Sequence, residues 1–358
     1  MSAGIEKWFF ETSVKFEFNA KERLRFYSKL SQLLDNGVAL DMALSQLQKV
    51  AAKSRGSVLS QLYTRWRRSV ANGMNFGKCM APYIPSSEAI LIETGSDSGH
   101  LIMALKNAET AVEQQGKVKK AIVTASAYPA VLVMMLIGAL VLSSYQVIPT
   151  FAEIIPVEEW TGVSKLMATV SSFIREFGFF ILMLIILSII GISYAMPRWS
   201  GMSRLPFENI VPFNFYRMWQ GSAFLLSVSS LMNAGVKLDE VSLTRLARSA
   251  DPYLAARIKA VKKWMSSGAN FGDALQKAGY KFPDEGLIAD MQIYAQLRGF
   301  EHNISKITFN WVDDLIDEVN VSMKVVNTVV LFMIAITIGM LIMAFFGVFQ
   351  QINASTSV

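Results

Sequence analysis

The chain has 358 residues, 52% of them hydrophobic and only 17% charged, with a formal net charge of +6. So apolar a composition excludes an ordinary soluble globule, while 22 Gly and 10 Pro exclude collagen-like, mucin-like and broadly disordered chains. A single cysteine, Cys79, forms no disulfide within the chain, and two widely separated histidines, His100 and His302, assemble no structural zinc site with it.

Residues 1–19 read as a short N-terminal extension whose charges are mixed through its aromatics. It has no continuous apolar core and no small-residue cleavage site, so no cleaved signal peptide is expected. An all-helical bundle is expected over residues 20–118. Phe26, Leu30, Leu33 and Leu34 keep the i, i+4, i+7, i+8 spacing of an apolar helical stripe. Gly37 falls where that helix would end in a left-handed residue, and Asp41 suits the N-cap of the next helix. Further on, Gly73 and Asn75 repeat the stop and the cap just before Phe76 and Gly77.

Between these punctuation marks Arg65, Arg67 and Arg68 surround Trp66. Cations beside an aromatic can mark a nucleic-acid surface. On a helix, however, Arg65 and Arg68 share a face while Trp66 turns inward, so the run is read as a solvated or partner-facing surface and no nucleic acid is expected. A second basic run, Lys259, Lys262 and Lys263 with Trp264, behaves alike.

Residues 121–152 carry no charged side chain, a stretch longer than the roughly 20 apolar helical residues that cross a bilayer core. The same holds for residues 177–197 and for the uncharged run from 325 onward. Transmembrane helices are therefore placed at 119–149, 177–197 and 319–350. They leave an extracytoplasmic loop at 150–176, a second helical bundle at 198–318 and a tail at 351–358. Lys117, Lys119 and Lys120 precede the first uncharged run, Arg198 and Arg204 follow the second, and Lys324 precedes the third. By the positive-inside rule both bundles and the N-terminus are cytoplasmic, and the Glu153–Glu158–Glu159 loop and the C-terminus lie outside. The basic collar at the membrane suits anionic lipids.

The two bundles are copies of one design. LLDNGVALD at 33–41 and LMNAGVKLD at 231–239 share L-x-x-x-G-V-x-L-D at an offset of 198, as do Ile84-Pro85 and Phe282-Pro283. NGMNFG at 72–77 and SGANFG at 267–272 share G-x-N-F-G at an offset of 195. Phe224, Val228, Leu231 and Met232 thus repeat the first stripe. Gly235 and Asp239, then Gly268, Asn270, Phe271 and Gly272, repeat its punctuation. With strand signals scarce, the expected fold is all-α, a polytopic membrane protein with two repeated cytoplasmic bundles and three transmembrane helices.

The succession of G-V-x-L-D, G-x-N-F-G, GSDSGHL at 95–101 and KVKKAIVTASAYPAVL at 117–132 resembles the signatures of the type II secretion F domain. This is the family of inner-membrane platform proteins of type II secretion and type IV pilus machines. The resemblance covers about residues 20–350, and Tyr128-Pro129 is its most specific piece. Where the family usually has Gly-Glu-x-x-Gly, this chain has Gly95, Ser96, Asp97, Ser98 and Gly99. In the second copy Gln296-Leu297-Arg298-Gly299 stands at about that place, and no Tyr-Pro precedes the third span. The short N-terminal extension is similar to that of the smaller type IVb and conjugative thin-pilus platform proteins.

The resemblance implies a non-enzymatic inner-membrane protein whose bundles dock a cytoplasmic assembly ATPase and whose spans receive the transmembrane helices of pilins or pseudopilins. Other inner-membrane assembly components would be neighbours, and no cofactor is implied. Three spans are few for enclosing a central site, and small residues such as Ala125, Gly138, Gly339 and Ala344 permit close helix approach, so a homo-oligomer is expected.

Other chemistries lack their residues. There is no G-x-x-x-x-G-K-[ST] and no H-E-x-x-H, and the centre of GSDSG is Asp97 rather than a nucleophilic serine. The uncharged runs of the spans hold no ionisable group of the kind that intramembrane proteases and proton-coupled pumps use. Ser126, Tyr128, Ser144, Thr328 and Thr337 are read as groups bonding helices to one another or to their own backbone. The rival class, a small permease or channel subunit, would need pore-lining polar groups. Cys79 is read as a small packed hydrophobe and the histidines as solvated or capping side chains.

Overall fold

The computed structural model describes residues 2–54, 57–296 and 300–356. Among them all regular structure is helical. The first copy contains α1 (Ser2–Glu17), α2 (Ala20–Asp35), α3 (Leu40–Ser54), α4 (Ser57–Ala71), α5 (Phe76–Met80) and α6 (Ser86–Asp97), and continues into α7 (Leu101–Leu142). A π turn (Ser143–Val147) leads to α8 (Ile148–Ala152), and α9 (Gly162–Ala195) follows. The second copy contains α10 (Phe213–Asn233), α11 (Glu240–Ser249), α12 (Pro252–Ser266), α13 (Phe271–Ala278) and α14 (Glu285–Tyr294), and continues into α15 (Phe300–Thr356).

The chain divides into two compact units, residues 1–120 with 196–315, and residues 121–195 with 316–358. In the first unit both bundles share one apolar core. Asn19 starts α2 by accepting hydrogen bonds from the amides of Lys21 and Glu22, which places Phe26 and Leu30 inward. Phe26 then stacks on Tyr63 with ring centroids 5.1 Å apart, and Trp66 packs 5.4 Å from both Phe18 and Phe26. Each such buried side chain contributes about 1.5–3 kcal/mol. Phe224, Val228 and Leu231 bury the equivalent stripe of α10. The bundles meet where α6 lies against α10 and α11.

The second unit holds the apolar helical stretches. Among the described residues three helices are long and apolar enough to cross a membrane, within residues 101–152, 162–195 and 303–351. The connection expected over residues 150–176 is mostly helical: α8 runs to Ala152 and α9 begins at Gly162, leaving only residues 153–161 between them. Lys165, Arg175 and Glu176 lie inside α9. Loss of charge marks an apolar stretch, whereas a helix continues through solvated charges. Around the connection Ile155, Trp160, Met167, Ala344 and Val348 form a small second core. Ser164 Oγ donates to the Ala344 carbonyl at 3.0 Å, and Trp160 Nε1 donates to that of Ile155 at 3.1 Å.

Proline leaves its mark at two places. Pro129 lies inside α7, where its missing N–H breaks one rung of the ladder. The π turn ends at Val147, two residues before Pro149, with the Ile148 amide donating to the Ser143 carbonyl five residues back. That wider turn is a regular way to take up a helix irregularity.

Candidate functional site

The repeated motif residues set helix ends and crossings. Gly37 and Gly235 take φ of 79° and 73° where α2 and α10 end, and Gly73 and Gly268 take 80° and 89° after α4 and α12. These left-handed values favour glycine. Asn75 caps α5 through the amides of Gly77 and Lys78, and Asn270 caps α13 through that of Asp273. Asp239 caps α11 in a reciprocal box with Ser242, whose amide hydrogen bond lowers the carboxyl pKa.

Asp41 departs from the expected cap. It is the second residue of α3, not the residue before it. Its carboxylate instead receives Arg67 Nε at 2.9 Å and Nη2 at 3.1 Å, and the bidentate guanidinium lowers its pKa. A cation on the neighbouring helix has outcompeted the local amides.

G-x-N-F-G is a close-crossing device. A Cβ on Gly77 would stand 2.2 Å from the Glu93 amide nitrogen, so α5 lies backbone to backbone on α6, with Phe76 buried beside it. In the second copy Gly272 meets Met291 and Gln292 at 2.5 Å, with Phe271 buried. Asn75 Nδ2 ties the first crossing to the GSDSG segment by donating to the Glu93 carbonyl at 3.0 Å and to Asp97 Oδ1. Gly95 lets Ala104 approach, and Gly99, at φ 77°, turns the chain into α7. Residues 297–299 of the counterpart segment, and the His302 side chain, lie outside the described residues. No group of three or more His, Cys, Asp or Glu able to hold a metal occurs among the described residues. His100 is exposed, and burial raises the pKa of the Cys79 thiol.

Of the basic run, Trp66 is buried as its position on α4 demands, and Arg65 and Arg68 are exposed. The Arg65 guanidinium lies over the Phe10 ring, 3.7 Å from its centroid. Arg67 is committed to Asp41, so the candidate surface reduces to Arg65 and Arg68. In the apolar stretches Ser126, Thr328 and Thr337 donate to the carbonyls of Ile122, Lys324 and Met333 at 2.7–3.0 Å, bonding to their own helices. Tyr128, just before Pro129, is exposed.

Two buried polar clusters had no counterpart in the sequence reading. In bundle one Glu88 accepts Arg23 Nε at 2.9 Å, Arg23 Nη2 at 3.2 Å and Tyr27 Oη at 2.6 Å. Burial raises the Glu88 pKa against the pull of both partners, and burial beside that carboxylate raises the Tyr27 pKa. In bundle two Arg204, Glu208 and Arg257 are all buried, with both guanidiniums paired to Glu208. The Tyr253 ring lies between the arginines, its centroid 3.4 Å from Arg257 Cζ and 4.0 Å from Arg204 Cζ. This cluster holds the segment that follows α9. Arg204 Nη1 donates to the carbonyls of Met196 and Trp199, and the Tyr253 amide donates to that of Pro197 at 3.0 Å.

A family model described as Type II secretion system (T2SS), protein F matches this chain twice, at residues 26–149 and 224–349. The chain belongs to this family. Each F-domain segment takes in one helical bundle and the long apolar helix that continues it, α7 or α15, while α9 lies between the two segments. The protein is also similar to the Toxin coregulated pilus biosynthesis protein E of Vibrio cholerae serotype O1. The two are 23% identical over 344 residues, covering 94% of this chain and 98% of that protein. The two F-domain segments start in α2 and α10, at the phenylalanines that head the two apolar stripes, so the sequence repeat and the family module begin together.

Proposed function

We propose that this F-domain protein is the inner-membrane platform of a type IV pilus or a type II secretion-like machine, where it couples a cytoplasmic assembly ATPase to the entry of pilins into the growing filament. One observation carries the reading. Both family modules consist of a helical bundle that runs without a break into an apolar helix, α7 from residue 101 to 142 and α15 from 300 to 356. A helix held in a packed bundle at one end carries a tilt or rotation along its length as rigid-body motion. The near full-length similarity to a pilus biosynthesis protein supports the filament assignment. The bundles face the cytoplasm, residues 150–176 and the C-terminus face the periplasm, and pilin or pseudopilin helices meet the spans among other assembly components. The protein itself makes and breaks no bond.

Deleting the chain abolishes filaments, and the wild-type copy restores them. Arg65→Glu combined with Arg68→Glu lowers recruitment of the ATPase to membranes severalfold while the protein accumulates normally. Filaments that persist without the chain reject the platform reading, and unchanged recruitment rejects the Arg65–Arg68 surface. Epitope tags at Asn36 and Asn233 report the cytoplasm, and one at Glu158 the periplasm.

A further inference from the structure

The two bundles are built alike but covered differently. In bundle one α2, α3 and α4 enclose a groove of about 330 Å³ with Phe26, Leu59 and Tyr63 in its lining. In bundle two α10, α11 and α12 enclose a groove of the same volume, lined at the equivalent positions by Phe224, Leu254 and Ile258. The first pair is separated by the repeat offset of 198 and the other two by 195, the offsets that relate the sequence motifs. Groove two is bordered by the other bundle, for Pro85 and Ser87 at the start of α6, with Gln115 of α7, complete its lining. Among the described residues groove one is lined from α2, α3 and α4 alone, and Val50 in its lining is 52% exposed.

The helices that could fill such grooves differ in the matching way. α6, which lies on α10 and α11, has Ala89, Ile90, Leu91 and Ile92 all buried. Its repeat equivalent α14 buries Leu287, Ile288 and Met291 but leaves Ala289, Asp290 and Ile293 exposed, Ile293 by 62%. Within the chain, therefore, a face of bundle one docks in the groove of bundle two. A head-to-tail contact of this kind leaves the complementary pair, α14 and groove one, at the two ends.

We infer that the outward face of α14, led by Glu285, docks in the bundle-one groove of a second copy of this chain, so that bundles alternate around a closed assembly. The charges support a second copy as the occupant. Groove one carries Arg25, Lys29 and Glu22 where groove two has Ala223, Ser227 and Gln220, a net gain of positive charge, and α14 carries Asp290 and Glu285, the latter beside Lys281 at 2.6 Å, where α6 has Ile92 and Ser87. Both sides have changed, in opposite sign. The contact reuses the geometry that already joins the two bundles and does not rest on the coupling to an ATPase.

The test uses the full-length protein in membranes, in a Cys79→Ala background. Chains carrying Val50→Cys and one tag are co-expressed with chains carrying Glu285→Cys and another. Mild oxidation is expected to give a disulfide-linked species that bears both tags at twice the chain mass and is absent when either cysteine stands alone. In a second arm Arg25→Glu with Lys29→Glu lowers the native mass to that of the monomer, and adding Glu285→Lys with Asp290→Lys restores the oligomer. No two-tag product, an oligomer that survives the first reversal, or one that the compensating reversal fails to restore would each overturn the inference.

Discussion

A Cβ on Gly77 would stand 2.2 Å from the amide nitrogen of Glu93, and Gly272 repeats the relation in the second copy at 2.5 Å from the Met291 backbone. Backbone cannot yield as the end of a flexible side chain can. Gly77→Ala and Gly272→Ala should therefore each force α5 from α6, or α13 from α14, at the typical overpacking cost of about 1–3 kcal/mol. Gly116→Ala should have the opposite sign. That glycine lies within α7 with nothing within 4 Å of the new methyl, so alanine gains about 0.5–1 kcal/mol of helix propensity. Thermal unfolding of the three variants in one detergent checks the signs, and a Gly77→Ala protein as stable as Gly116→Ala would refute the crossing.

Glu88 gives the first unit a pH dependence of defined sign. Burial raises its pKa above the ordinary 4.5, with Arg23 and Tyr27 pulling the other way. The folded protein thus holds that proton more tightly than the unfolded chain. The stability from this site is complete below 4.5 and is lost as pH climbs through the raised folded value. Carboxylates with lowered pKa, such as Asp239, slope the other way below the ordinary value of 3.8. Glu88→Gln should cancel only the loss on the alkaline side of 4.5. Subtracting its melting temperatures from those of wild type over about pH 4 to 8 isolates the slope, and a flat difference would dismiss it.

Why some of this was legible in the sequence and some was not is clearest where identical letters met different fates. The stripes headed by Phe26 and Phe224 and the turns at Gly37 and Gly235 are local, set by helix period and by backbone that disfavours a Cβ. Asp41 and Asp239 close the same L-x-x-x-G-V-x-L-D, yet only Asp239 caps a helix, because Arg67 on α4 reaches Asp41 across 26 residues of sequence. Arg204 looked like one more basic residue beside a span and is instead wholly buried. Its one hint was Glu208 four residues later, a spacing that surface helices share. The roles of Gly77 and Gly272 depend on which backbone crosses theirs, which periodicity does not report.

Arg204 fastens the segment between α9 and bundle two. Its Nη1 reaches the carbonyls of Met196 and Trp199 while its Nε faces Glu208 at 3.5 Å. Arg204→Met removes both connections and leaves one arginine to balance the buried carboxylate. Breaking a buried pair from one side typically costs about 3–5 kcal/mol. Arg204→Lys keeps the charge without the planar fork and should fall between. Because Arg198 lies exposed within the fastened segment, trypsin cleavage after it should quicken in the order wild type, lysine, methionine. Equal cleavage in all three would mean that Pro197 and Tyr253 hold the segment unaided.

The second unit can be tested at Gly347, on α15. A Cβ there would stand 2.5 Å from Ser164 Oγ, the hydroxyl that donates to the Ala344 carbonyl one turn earlier. Ser164 opens α9 directly after residues 153–161, and Trp160 within that connection is buried against the same small core as Ala344 and Val348. Gly347→Leu should push the Ser164 turn away, break its hydrogen bond and loosen the connection. Ser164→Ala should only delete the bond, at about 0.5–1.5 kcal/mol. Glu158 and Glu159 offer cleavage sites in the connection. A glutamate-specific protease added to the detergent-purified protein should therefore cut Gly347→Leu severalfold faster than wild type and Ser164→Ala only slightly faster. If the leucine variant is cut no faster than the alanine variant, the close approach at Gly347 does not hold the connection in place.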